Sequence, residues 1–181
     1  MSSTVLLVVK DSSFLENLSG SLKRLKASVV TAGSKNEALE VCSNHEVDLA
    51  LLDIRQQGND AMQILASLKK NQPETEVILL SDSKNIAFAM EGMRQGASDD
   101  ITVPFDIDSF IKTIKSALRR RKAHLKAHRK RTLMNVFEDT MMAATFAEAG
   151  EFDTAQKIYR GDGDKKISAV NSEPRLKRRT P

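Results

Sequence analysis

The chain has little cysteine, few aromatic residues and no long apolar run. Cys42 is the single cysteine among 181 residues, which excludes an intrachain disulfide framework and a zinc site built on cysteines. No apolar stretch approaches the ~20 residues that a bilayer-spanning helix needs. The opening MSSTVLLVVKDSS lacks a basic n-region, and its apolar run covers only Val5 to Val9, unlike a secretory leader. A reducing cytoplasm is the setting these absences favour. There is no tryptophan and one tyrosine, which offers little support for a nucleic-acid-binding domain.

What is present suits a folded core, with 40% hydrophobic and 29% charged residues. The net charge of +4 conceals an uneven distribution. Residues 1–118 hold 12 basic and 16 acidic residues, a net of −4. Residues 119–131, RRRKAHLKAHRKR, hold 8 basic and no acidic residues. Residues 132–181 hold 8 of each and are neutral. The basic character therefore resides in one short segment and not in a basic domain.

Residues 1–118 alternate between strand and helix patterns. The run TVLLVVK at 4–10 is apolar and rich in β-branched residues, as a buried strand requires. Phe14, Leu15, Leu18, Leu22 and Leu25 then recur at helical spacing. SVVTA at 28–32 is a second strand, and Ser34 with Glu37 forms a capping box for the next helix. VDLALLDI at 47–54 is a third strand, closed by a turn at Gln57-Gly58-Asn59-Asp60 before a helix bearing Met62, Ile64, Leu65 and Leu68. EVILLS at 76–81 is a fourth strand, and a helix over 85–94 stops before Gly96. DITV at 100–103 is a short fifth strand, followed by a helix capped by Asp108. Five strand-then-helix repeats imply an α/β domain with a parallel sheet covered on both faces. In such sheets the working crevice lies at the carboxyl ends of the strands. Lys10, Asp11, Asp53 and Ser81 sit at those ends.

The segments VVKDSSF, DLALLDIRQQG, VILLSDS and GASDDITVPF, in this order and spacing, resemble the receiver domain of two-component response regulators. The resemblance covers 4–118 and implies a flavodoxin-like, doubly wound five-stranded sheet of order 2-1-3-4-5. It also implies that Asp53 accepts a phosphoryl group from a histidine kinase or phosphotransfer protein. Mg²⁺ would be held by Asp11, Asp53 and the backbone carbonyl of Arg55, hard oxygen ligands that suit this ion. The Ser81 hydroxyl would bond the phosphoryl group and follow it.

The sequence departs from the family pattern at four places. Lys10 replaces the first member of the acidic pair, and Val103 replaces the strand-five lysine. Asp100 stands at the aromatic switch position, and Gln57 stands where proline is usual. An ammonium ~4 Å from a carboxylate is worth ~4 kcal/mol at an effective dielectric of 20, before desolvation. Lys10 could thus pair with Asp53 and compete with Mg²⁺, or it could supply the phosphate-binding charge missing at Val103.

Beyond the receiver, the pattern gives a basic linker helix at 119–131, a helical hairpin at 132–160 and a flexible tail at 161–181. The linker is expected to be solvated or to lie against the acidic receiver. In the hairpin, AEAGEFDTAQKIY is similar to the turn region of one tetratricopeptide repeat. Such repeats need neighbours, so the hairpin is expected to pack on the receiver, to form a homodimer or to dock on a downstream protein. Three readings follow. The first is a non-enzymatic phosphorelay module with Asp53 as acceptor and output through protein contacts. The second is a phosphorylation-independent scaffold with a Lys10–Asp53 ion pair. The third is binding of nucleic acid or an anionic surface through 119–131, without a dedicated DNA-binding domain.

Overall fold

The computed structural model describes residues 3–159, with the side chains of Gln57 and Tyr159 excepted. The tail expected at 161–181 lies outside the described residues. The chain divides into one unit through Leu125 and a second from Lys126 onward.

The first unit contains β1 (Thr4–Val8), α1 (Ser12–Lys23), β2 (Ser28–Ala32), α2 (Lys35–Asn44) and β3 (Leu49–Asp53). It continues with α3 (Ile54–Asn71), β4 (Glu76–Ser81), α4 (Ile86–Arg94), β5 (Asp99–Thr102) and the first part of α5 (Ile107–Glu148). The five strands form one parallel sheet in the order β2-β1-β3-β4-β5. This is the flavodoxin-like order that the resemblance implied.

The burial pattern explains the continuous apolar runs. Every residue of β3 and β4 is buried, because helices cover both faces of the sheet. On one face Leu6, Ala50, Leu52, Val77 and Leu79 meet apolar residues of α2, α3 and α4. On the other, Val5, Leu7, Leu49, Leu51, Ile78 and Leu80 meet Leu18 and Leu22 of α1 and Phe110, Ile114 and Ala117 of α5.

Three local expectations are corrected. The segment Gln57-Gly58-Asn59-Asp60 is not a turn, since α3 starts directly after Asp53 and runs through it. Gly58 serves close packing instead: a Cβ there would come within 2.7 Å of the Phe88 ring of α4. Helix α5 is capped by Asp106 and not by Asp108, with the Ser109 N–H donating to Asp106 Oδ2 at 2.8 Å. The fifth strand spans Asp99–Thr102, one residue earlier than its apolar pattern indicated.

The basic segment continues the helix that leaves the receiver, as the absence of Gly and Pro between Asp108 and Gly150 implied, and α5 runs from Ile107 to Glu148 without a break. Two of its arginines belong to the first unit's architecture. Arg121 is 6% exposed, pairs with Asp48, and donates from Nη2 to Glu46 Oε1 at 2.7 Å. Asp48 in turn accepts the Thr4 N–H at 2.6 Å, so this cluster ties α5 to the entry of β1. Arg120 Nε donates to Glu76 Oε2 at 3.1 Å, at the first residue of β4.

The second unit holds the remainder of α5, a turn with Gly150 at φ 81°, and α6 (Phe152–Tyr159). Ala143, Ala155 and Ile158 are buried in it. Leu133, Met134, Val136, Phe137, Met141, Met142 and Phe152 are exposed.

Two consequences can be measured. Phe110 is 1% exposed, so Phe110→Ala should cost ~3–5 kcal/mol in urea unfolding of the chain. The Ser109 backbone N–H and side-chain hydroxyl hold the Asp106 carboxyl below its usual range. A depressed carboxyl adds stability above its unfolded pKa of ~4, and that stability is lost as pH falls through the folded value. Asp106→Ala should therefore lower the urea midpoint at neutral pH, with the difference from wild type shrinking on acidification; an undiminished difference would exclude the charged cap as its cause.

Candidate functional site

The sheet register brings the expected residues to one edge. Val8 of β1 lies opposite Leu52 of β3, and Asp53 lies opposite Leu80 of β4. Asp53, at the end of β3, is thus flanked by the chain leaving β1 toward Asp11 and by Ser81 at the end of β4. Asp53 is 9% exposed and Ser81 3%.

Asp53 closes β3 and also serves as the N-cap of α3, accepting the Arg55 N–H on Oδ1 at 3.0 Å. The Arg55 side chain then folds back over the same carboxylate. Its Nε donates to Oδ1 at 2.9 Å and its Nη2 to Oδ2 at 2.7 Å. This is a bidentate pair, the strongest geometry between guanidinium and carboxylate. The guanidinium also lies 4.4 Å from the centroid of the Phe14 ring, a cation–π distance. The hydrogen bond to Asp53 raises the Arg55 pKa, and the nearby charges of Asp53, Asp11 and Asp82 add to the rise against the opposing effect of burial.

The ion pair expected between Lys10 and Asp53 is therefore not the one formed. Arg55 sits in the first turn of α3, directly beside the carboxylate, whereas Lys10 is exposed two residues past the end of β1. Lys10 instead lines an open cavity with Arg55, Asn59, Asp60, Asn85 and Phe88.

Asp11 caps α1, with Oδ1 accepting the Phe14 N–H at 2.9 Å. The Arg55 carbonyl accepts from Asn85 Nδ2 at 3.3 Å, and the same amide donates to Asp82 Oδ1 at 2.8 Å. The Lys84 N–H and the Asn85 amide hold the Asp82 carboxyl below its usual range. Ser81 Oγ lies 3.4 Å from Asp100 Oδ2, a long bond.

The three oxygen donors that the resemblance assigned to Mg²⁺ are thus engaged by the protein. Both Asp53 oxygens face the Arg55 fork, an Asp11 oxygen caps α1, and the Arg55 carbonyl meets Asn85. Among the described residues no group of three acidic, histidine or cysteine side chains is arranged to hold a metal ion. As arranged, these residues do not fit Mg²⁺.

Sequence reasoning assigned only the carbonyl of Arg55 and missed its side chain, together with Phe14 and Asn85. One signal was available: an arginine two residues after a strand-ending aspartate is long enough to return to it once that aspartate caps a helix.

The chain matches the response regulator receiver domain model over residues 5–115. It is 36% identical over 116 residues to the transcriptional regulatory protein GlrR of Escherichia coli, covering 64% of this chain and 26% of that one. It is 28% identical to the cell cycle response regulator CtrA of Brucella abortus, covering 66% of this chain and 52% of that one. The chain therefore spans about a quarter of the first relative's length and about half of the second's. Among solved structures, the receiver domain of NtrX from Brucella abortus aligns with a TM-score of 0.59 at 31% identity, covering 64% of this chain and 98% of that one. Sheet order, the acidic strand ends and these matches agree: the chain belongs to the response regulator receiver family.

Proposed function

We propose that this receiver acts in a phosphorelay with Asp53 as its phosphoacceptor. The carrying observation is the position of Asp53, a nearly buried carboxylate at the end of the central strand. The Ser81 hydroxyl ends the neighbouring strand, and Asp11 and Asn85 belong to the surrounding loops. The phosphoryl donor is a histidine kinase or a phosphotransfer protein, and the setting is the cytoplasm. The receiver turns over no external substrate.

Output is assigned to protein contacts made by the segment after the receiver. Its support is the exposed apolar set Leu133, Val136, Phe137 and Met141, since apolar surface of this kind marks docking sites. The basic segment is a weaker candidate for nucleic acid or an anionic surface. Arg120 and Arg121 already pair with Glu76, Glu46 and Asp48, which leaves fewer charges for phosphates.

A second reading, a phosphorylation-independent scaffold, is favoured by the bidentate Arg55–Asp53 pair. A carboxylate bonded on both oxygens is a poor nucleophile, and the pair would hold the receiver in one state. Here Arg55 takes the locking role that the sequence suggested for Lys10.

Two measurements separate these readings. Incubation of the full chain with acetyl phosphate should add the mass of one phosphoryl group, and Asp53→Ala should not gain it. An equal gain in Asp53→Ala would remove Asp53 as the acceptor. If the pair is a lock, Arg55→Ala leaves a buried carboxylate short of partners and should cost ~1–3 kcal/mol in urea unfolding at neutral pH. An unchanged midpoint would remove the lock.

A further inference from the structure

We propose that Arg55, assisted by Lys10, supplies the positive charge that a divalent ion supplies elsewhere in the family, so that Asp53 accepts a phosphoryl group without a divalent ion. This rests on Asp53 being the acceptor.

The first support is charge. A family pocket with three carboxylates, one lysine and one dication is formally neutral. In this chain the groups at those positions, Asp11 and Asp53, are matched by Lys10 and Arg55, so these four sum to zero with no dication, while Asp60 and Asp82 lie further out. Lys10 removes one anion and adds a cation, Val103 removes one cation, and Arg55 adds one, a net change of +2 that equals the charge of the dication. A dication entering would leave these four groups with a net charge of +2 and would meet the Arg55 guanidinium already on Asp53.

The second support is geometry. The guanidinium already spans both oxygens of Asp53, with Nε to Oδ1 at 2.9 Å and Nη2 to Oδ2 at 2.7 Å. Its central carbon lies over the Phe14 ring at 4.4 Å from the centroid. Its charge is secure, because Asp53, Asp11 and Asp82 all favour the protonated form. A planar fork of donors matches phosphoryl oxygens as well as it matches a carboxylate. Lys10, on the wall of the adjoining cavity, has no ion-pair partner among the described residues. Its side chain is exposed and able to meet an incoming dianion.

The third support is the engagement of the three metal-donor oxygens described above. A divalent ion would have to displace the Arg55 fork to reach Asp53.

The transfer balances without further components. An oxygen of Asp53 attacks the phosphorus of an acyl phosphate, forming the new P–O bond. The bond from phosphorus to the acyl oxygen breaks, and the carboxylate leaves with the electron pair. No net proton is required. Arg55 releases one aspartate oxygen as that oxygen becomes the bridging atom, and its N–H groups turn to the phosphoryl oxygens. Arg55 touches the reacting carboxylate and is in that sense catalytic.

The test follows intact mass of the full chain with acetyl phosphate, in EDTA and in millimolar Mg²⁺. Wild type should label at the same rate in both. Arg55→Ala should label in EDTA about 100-fold more slowly, the scale of losing one fixed donor to transition-state charge. Arg55→Lys, which keeps the charge and loses the fork, should fall between them. Circular dichroism and urea midpoints establish that each variant is folded. Millimolar Mg²⁺ should leave the wild-type thermal midpoint unchanged, since a ligand that binds only the folded state would raise it. Labelling of wild type only with Mg²⁺, or a Mg²⁺-dependent rise in midpoint, overturns the proposal while leaving Asp53 the acceptor. Undiminished labelling of Arg55→Ala in EDTA overturns the role of Arg55. No labelling of wild type under either condition overturns both this proposal and the acceptor reading.

Discussion

A carboxylate at the end of a fully buried strand must find positive charge, and the way this chain meets that need shapes its site. Moving an ionised group out of water costs several kcal/mol per ion even after relaxation. Asp53 follows four apolar residues that are wholly buried, so the sheet itself carries the carboxylate away from solvent. Within the family that need is met by a bound metal and a lysine from another strand. Here it is met two residues along the same chain. The countercharge is local in sequence and covalently tethered, so it is present whenever the fold is. The same proximity explains why the residues around Asp53 look divergent. Arg55 stands over the carboxylate where Lys10 replaces the first acid and Val103 replaces the strand-five lysine, so the charge beside Asp53 comes from its own helix.

The sheet was readable from the sequence because its signal is one-dimensional. Five apolar runs separated by amphipathic stretches leave few alternatives to a parallel sheet, and the motif order then fixed the strand order. Where side-chain roles were misjudged, the purpose of the side chain lies outside its own segment. Gly58 reads as a turn residue, yet it is a helix residue trimmed to admit Phe88 from α4. Asp106 and Asp108 are both plausible caps by type, and only the geometry at Ser109 separates them. Lys10 and Arg55 are both cations near Asp53 in the folded order. What decides between them is where α3 begins. A loop after β3 would have carried Arg55 away, whereas an immediate helix turns it back onto the carboxylate.

Charge along α5 shows a similar division of labour. A run of eight basic residues in thirteen looks uniform in sequence, yet its members have different surroundings. Arg120 and Arg121 reach the first residue of β4 and the segment just before β3, at the strand ends remote from Asp53. Arg121 is nearly buried because its partners Asp48 and Glu46 lie where those strands enter the sheet. These two arginines are therefore part of what holds α5 on the receiver, and the acidity of residues 1–118 is partly their complement. The lysines and arginines from Lys122 to Arg131 are exposed and form no ion pair among the described residues, while His124 Nδ1 lies 3.8 Å from Glu74 Oε2.

The rings around the site connect it to the same helix. Arg55 lies over Phe14, Phe14 is 6.1 Å from Phe105, and Phe105 stacks on Phe110 at 5.0 Å. Phe110 belongs to the core between the sheet and α5. The orientation of the guanidinium thus depends on α1, on the segment after β5 and on the docking of α5 at once. An aromatic residue at position 100 would have placed a ring on the other side of Ser81, but Asp100 is there and Ser81 faces a carboxylate instead. The mobile aromatic element expected of a receiver is therefore missing from β5. A contiguous set of rings stands on the α1 and α5 side, in contact with the cation paired with Asp53 among the described residues. Arg55 thus joins Asp53 to the rings on the α1 and α5 side through its guanidinium, and to Asn85 at the start of α4 through its carbonyl.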